Sequence, residues 1–121
     1  MQAYQEPGRL LKAMAHPIRM RILDVLCHSE ACVCHLTTLL DQRQPYVSQQ
    51  LMVLREAGLV TDRREGTIVY YGVADGRVSE IMSLLLGILG DQGIALQRQP
   101  VPQPPLAGCT CPDCAAAERA A

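Results

Sequence analysis

Apolar positions along the chain first recur at helical spacing, then alternate, then return to helical spacing, and finally give way to a proline-rich end. Pro7 suits a first helical position, and Leu10, Leu11 and Met14 follow at helical intervals, so a short first helix is expected up to Ala15. Pro17 opens a second, in which Ile18, Ile22, Val25 and Leu26 face the core while Arg19 and Arg21 turn outward; it should end near Cys27 and His28. In CVCHLTTLLDQ the buried set is Val33, Leu36, Leu39 and Leu40, a third helix that stops at the polar turn DQRQ. Gln44 and Pro45 begin a fourth, with Val47, Leu51 and Leu54 inward and Gly58 placed as a left-handed C-cap. The period changes in LVTDRREGTIVYYGVA, whose alternation around Glu65 and Gly66 predicts a hairpin with strands at about 59–64 and 67–73. Asp75 is a good N-cap for a last helix running to about Gly90. That helix, from Val78 through Leu84, Leu85, Ile88 and Leu89, is apolar nearly all the way round, and a small domain cannot cover it alone. Pairing of the last helix, with help from the first, across a two-fold axis is the economical cover. The expected fold is therefore mainly α with a β-hairpin wing, a winged helix-turn-helix that forms a homodimer.

From Gln97 the character changes to QPVPQPPLAG followed by CTCPDC, from which no core is expected. A polyproline conformation rises ~3.1 Å per residue, so residues 99–108 read as an extended tether that carries the cysteines ~30 Å from the last helix. The chain thus divides into residues 1–96, for reading and dimerisation, and residues 97–121, a Pro-rich tether with a Cys-rich tail. A length of 121 residues fits one domain, and a composition with four Tyr and no Phe or Trp implies a largely aliphatic core. The longest apolar stretch falls far short of the ~20 residues that span a bilayer, and the start carries no secretory pattern, so a cytoplasmic protein is expected. Thiols are kept reduced in that compartment, and six cysteines then read as metal ligands or redox groups before disulfides. Residues 9–64 hold eight Lys/Arg against five Asp/Glu, and residues 65–121 three against six. The basic half is the one that carries the helix-turn-helix pattern.

In that half, two short helices joined by a tight polar turn expose Tyr46, Ser48, Gln49 and Gln50 on the second, and Arg63 and Arg64 lie near the hairpin tip. A helix fits the major groove, glutamines both donate to and accept from base edges, and wing arginines reach phosphates or the minor groove, so the arrangement reads double-stranded DNA. The stretches LLKAMAHPIRMRIL, LDQRQPYVSQQLMVLREAGLV and TDRREGTIVYYGVAD, in that order between Leu10 and Asp91, resemble the ArsR/SmtB family of winged-helix repressors, which sense metals and other thiol-reactive stresses. The resemblance implies a homodimer on operator DNA with the fourth helix in the major groove. It places Gln44, Tyr46, Ser48 and Gln49 toward the bases, with Gln50 as a further candidate, and Arg43, Arg63 and Arg64 toward the backbone or minor groove.

The same resemblance points to the cysteines as the signal input. In the arsenic-, cadmium- and lead-sensing branches a Cys-Val-Cys at the start of the third helix supplies thiolates, which matches Cys32 and Cys34. Two such residues in a regular helix point ~200° apart, so they share an ion only if Cys32 lies at or before the N-cap. There the helix dipole favours the thiolate. The third cysteine of the arsenic pattern is replaced by Thr37, and Cys109, Cys111 and Cys114 are expected to complete the site from the same or a partner chain. Trigonal thiolate sets suit arsenite, antimonite or lead, and tetrahedral ones cadmium or zinc, with bismuth and mercury also soft enough. The zinc site on the last helix of the family is broken, since Arg77 and Ile88 stand at its histidine places. Persulfide sensing is the alternative, although Asp24 replaces the cysteine that such members carry in the second helix. Cys27 reads as a core residue, and His16, His28 and His35 as capping or solvated groups more than ligands. Cys111 and Cys114 have redox-motif spacing without a βαβ scaffold, and no phosphate loop, nucleophile elbow or HExxH occurs, so the expectation is a non-enzyme.

Overall fold

The computed structural model describes residues 2–120. Helices α1 (Gln2–Met14) and α2 (Pro17–His28) precede a two-residue strand β1 (Ala31–Cys32), α3 (Val33–Leu40) and α4 (Gln44–Glu56). Strands β2 (Val60–Glu65) and β3 (Ile68–Val73) form the hairpin, followed by α5 (Arg77–Asp91), a coil, and α6 (Pro112–Ala120). The expected winged helix-turn-helix is present, built on the stripes that the periodicity marks out. Ile22 and Leu23 from α2, Leu36 from α3, and Val47, Leu51 and Leu54 from α4 are the buried centre. Each such side chain contributes about 1.5–3 kcal/mol by leaving water. Gly58 has φ +78°, which lets the chain reverse after α4 so that the Leu59 N–H donates to the Leu54 carbonyl at 3.0 Å.

Several elements depart from expectation. Helix α1 begins at Gln2 and contains Pro7 rather than starting there. As the sixth residue of the helix Pro7 forfeits the bond to the Ala3 carbonyl, a cost offset by the later turns, which bury Ala13 and Met14 in the core. Strand β1 pairs antiparallel with β3, Ala31 opposite Tyr71 and Cys32 opposite Tyr70, and makes a sheet of order β1-β3-β2. Helix α5 starts at Arg77, yet Asp75 does the capping, its Oδ1 accepting the Arg77 N–H at 2.9 Å. The Arg77 guanidinium beside it holds the Asp75 carboxyl down at about 2.

The tail is the largest correction. It does not extend away as a tether but folds back over its own chain and buries Leu106, Cys109, Cys111 and Cys114 in a second small core with Cys32 and Tyr70. Arg98 starts the return: its guanidinium donates to the Asp24 carboxylate on α2 and, on α5, to the Ser79 hydroxyl at 2.7 Å and the Ser83 hydroxyl at 3.2 Å. Arg21 donates to the carbonyls of Gln99 at 3.1 Å and Pro100 at 2.8 Å, and Val101 packs against the main core. Proline composition sets local backbone preference, whereas these anchors are non-local and decide where the segment lies. Among the described residues no helix is long and apolar enough to cross a membrane.

Candidate metal centre and nucleic-acid interface

Residue Cys32 ends β1 and is the N-cap of α3, with φ −87° and ψ 168°. It is therefore held on one side by the sheet and on the other by the helix, in the extended backbone that lets its side chain escape the ~200° divergence from Cys34. Cys34 and His35 follow in the first turn of α3. Pro112 opens α6, and the carbonyl of Cys111 accepts the Ala115 N–H at 2.9 Å, which makes Cys111 the entry to that helix. The first turns of two helices thus meet at the cysteines, where their unpaired N–H groups favour negative sulfur.

The donor atoms of His35, Cys109, Cys111 and Cys114 all lie within 4.8 Å of one another, and all four side chains are buried. His35 Nδ1 is 3.6 Å from Cys111 Sγ and 3.4 Å from Cys114 Sγ. An ion with ~2.3 Å bonds to sulfur and ~2.0 Å to nitrogen holds tetrahedral donors roughly 3.5–3.8 Å apart, so this set fits a four-coordinate Cys3His ion with little movement. Exposed Cys34 places its Sγ 3.8 Å from Cys109 Sγ, and buried Cys32 packs beside Cys111. The Thr37 hydroxyl donates to the Cys34 carbonyl at 2.7 Å, so the residue that stands for the missing third cysteine is spent on the helix itself.

Burial dominates the acid–base state of these groups. It pushes the Cys32 thiol up to about 11, aided by the neighbouring Cys111 and Cys34 sulfurs and opposed by the His35 backbone N–H. It pushes Cys114 up to about 12, although the Leu106 N–H donates to its Sγ at 3.2 Å. It lowers His35, which leaves the imidazole neutral and able to ligate. His35 is the donor that sequence reasoning set aside. The signal was its position one residue beyond the Cys-Val-Cys pair, in register with a Cys-x-Cys-x-x-Cys tail. The other histidines do cap: His16 Nδ1 accepts the Ile18 N–H at 3.1 Å, and His28 Nδ1 lies 2.9 Å from the Asp24 carbonyl oxygen. Cys27 is half-buried against the main core, and burial raises its thiol.

On the candidate reading face, Arg43 is the N-cap of α4, and Arg43, Gln44 and Gln49 are exposed. Tyr46 and Ser48 are half-buried, with the Tyr46 hydroxyl 3.5 Å from His16 Nε2. Gln50 departs from the expected face. It is buried, and its Oε1 accepts from Arg19 Nη1 at 2.9 Å, because its position on α4 points to α2 rather than to solvent. Arg63 is exposed but bonded to Glu30 at 2.9 Å and Glu65 at 2.8 Å, and it lies 4.7 Å over the Tyr70 ring; Arg64 is exposed.

The family model described as "Bacterial regulatory protein, arsR family" matches residues 16–62, which run from the α2 cap into the wing. The biofilm growth-associated repressor of Agrobacterium fabrum is 43% identical over 83 residues, 69% of this chain and 71% of that protein. The chain belongs to the ArsR family. The arsenical resistance operon repressor of Escherichia coli is 46% identical over 66 residues, 54% of this chain and 56% of its own. A solution structure of a homodimeric winged helix-turn-helix DNA-binding domain from Mycobacterium bovis, a possible ArsR-family regulator, superposes with a TM-score of 0.68 at 28% identity. The match covers 82% of this chain and 92% of that one. The ArsR-family chain is a transcriptional repressor of this type, not an enzyme.

Proposed function

We propose that this repressor binds operator DNA as a homodimer when free of metal and releases it when a soft, thiophilic ion is taken up by the cysteine cluster. The observation that carries the reading is the convergence of His35, Cys109, Cys111 and Cys114, which ties the tail to the first helix of the DNA-reading pair. Three sulfurs and one nitrogen in tetrahedral reach favour cadmium among the soft ions, with zinc as the borderline competitor. Arsenite, antimonite or lead would use the three tail thiolates in a trigonal set.

Residues 1–96 form the reading and dimerisation body, and residues 97–121 the sensing tail. On the body, Gln44, Tyr46, Ser48 and Gln49 of α4 face the major groove, with Arg43 at the α4 N-cap and Arg63 and Arg64 on the wing toward the backbone or minor groove. Ligation draws the first turn of α3 toward the first turn of α6. Because α3 is joined to α4 by the short turn at Asp41 to Arg43, that pull changes the angle at which the two reading helices of the dimer meet successive grooves. A coupling of ~1–3 kcal/mol corresponds to ~5- to 150-fold weaker DNA binding.

The deciding experiment is a gel shift on the promoter of its own gene with cadmium, lead, arsenite and zinc. Cys109→Ser should retain DNA binding and lose release, and release unchanged from wild type would overturn the proposed site. The 3.8 Å between Cys34 and Cys109 Sγ favours one second reading, a thiol trigger in which a polysulfide accepts two electrons as this pair becomes a disulfide. Release by polysulfide and by no ion would select it.

A further inference from the structure

More donors converge here than one four-coordinate ion uses. His35, Cys109, Cys111 and Cys114 form a complete buried set. Two thiols remain, and each adjoins a different member of it: Cys34 stands 3.8 Å from Cys109, and Cys32 packs beside Cys111. Cys32, Cys34 and Cys111 also line one cavity of about 430 Å³, which gives the extra pair an approach from solvent and room for a second guest. The backbone at Cys32 is fixed twice, by β1–β3 pairing and as the N-cap of α3, so this cysteine is held in place before anything binds.

Two four-coordinate ions that share two donors need six donors in all, and the cluster supplies six. We propose that it holds two divalent, thiophilic ions in one binuclear thiolate centre. His35 and Cys114 are the terminal ligands of the buried ion, Cys32 and Cys34 those of the second, and Cys109 and Cys111 bridge the two. The proposal rests on the reading of the cluster as the ion sensor and deepens it, since the second ion grips the α3 entrance directly. Charge is compatible with the count: two divalent ions among five thiolates leave one net negative charge, the same as one ion on the three tail thiolates with Cys32 and Cys34 still protonated. Binding both ions releases the five thiol protons as the sulfurs become thiolates, and no electrons are exchanged.

The test uses the full, reduced chain and cadmium alone, without DNA. Native mass spectrometry and the thiolate-to-cadmium absorbance should both saturate at two cadmium ions per chain. Cadmium-113 NMR should give two resonances, one in the range of four sulfur ligands and one shifted toward three sulfurs and a nitrogen, each split by coupling through the shared sulfurs. The double substitution Cys32→Ser with Cys34→Ser should lose one ion and keep the resonance of the nitrogen-containing site. Saturation at one ion per chain, two uncoupled resonances, or two ions retained by the double variant would each overturn the proposal. The wild-type spectrum decides the matter even if that variant folds poorly. Two coupled ions here with no release in the gel shift would sink the ion-sensing reading alone, and release in the gel shift with a single ion bound here would sink the binuclear centre alone.

Discussion

Burial gives each donor its charge state before any ion arrives. His35 is neutral because its ring is desolvated, while Cys114, pushed up to about 12, and Cys32, pushed up to about 11, hold their protons at neutral pH. An ion must displace those protons, so affinity falls as pH falls, by about tenfold per pH unit for each thiol proton released. His35 adds no proton to displace above its lowered pKa. Cadmium affinity measured by chelator competition should therefore drop at least about tenfold from pH 8 to pH 7 through Cys114 alone. An affinity independent of pH across that interval would show that the sulfurs are already ionised. Much of this residue-level chemistry was legible. The CVC motif singled out Cys32 and Cys34, which lie beside the set of His35, Cys109, Cys111 and Cys114 and not within it; the need for an N-cap position anticipated where Cys32 sits, and CTCPDC contains the three cysteines of that set. His35 was not legible, since a lone histidine near a helix start more often caps or meets water, and only the docked tail brings it to the three cysteines.

Among the elements, α2 to α5 and the hairpin were readable because each carries a period of 3.6 or 2 over several residues. Strand β1 has two residues and no period, and α1 extends past Pro7 into a polar segment without a stripe. The tail resisted for a different reason. Its position depends on the Arg98 network, which joins residues 74 apart in sequence and leaves no local pattern. The Asp24 side chain is only 9% exposed, and besides Arg98 its carboxylate has Arg21 at 3.6 Å. Arg98→Ala removes the closer cation and leaves a nearly buried carboxylate under-satisfied, at a cost of about 2 kcal/mol once the partial exposure of Arg98 is allowed for. Urea denaturation should show the lower midpoint, and limited proteolysis should open the bonds between residues 99 and 108. Arg98→Lys keeps the charge but not the fork that spans Asp24 and Ser79, and should fall between. An unchanged midpoint and cleavage pattern would mean that the strap is held by the cysteine core alone.

For the whole molecule, the exposed apolar face of α5 is where the proposed dimer would join sensing to DNA reading. Leu84 is 69% exposed, Leu85 38% and Ile88 55%, on the same helix whose Ser79 and Ser83 receive Arg98. Such a row is costly in water, and Tyr4 and Leu11 of α1 are likewise exposed. In the proposed dimer these surfaces meet, and the two α4 helices are set about one DNA turn apart. Leu84→Asp together with Ile88→Asp places charge in that seam without touching the core, which is built from other faces. Sedimentation should then report a monomer. A monomer makes half the phosphate and base contacts, so operator affinity should fall by several orders of magnitude and its salt dependence should be roughly halved. Cadmium binding, in contrast, should keep the same stoichiometry and affinity, because the proposed centre takes all six donors from one chain. A variant that stays dimeric would remove α5 from the interface. A monomer that loses the metal site would mean that the cysteines ligate across protomers instead.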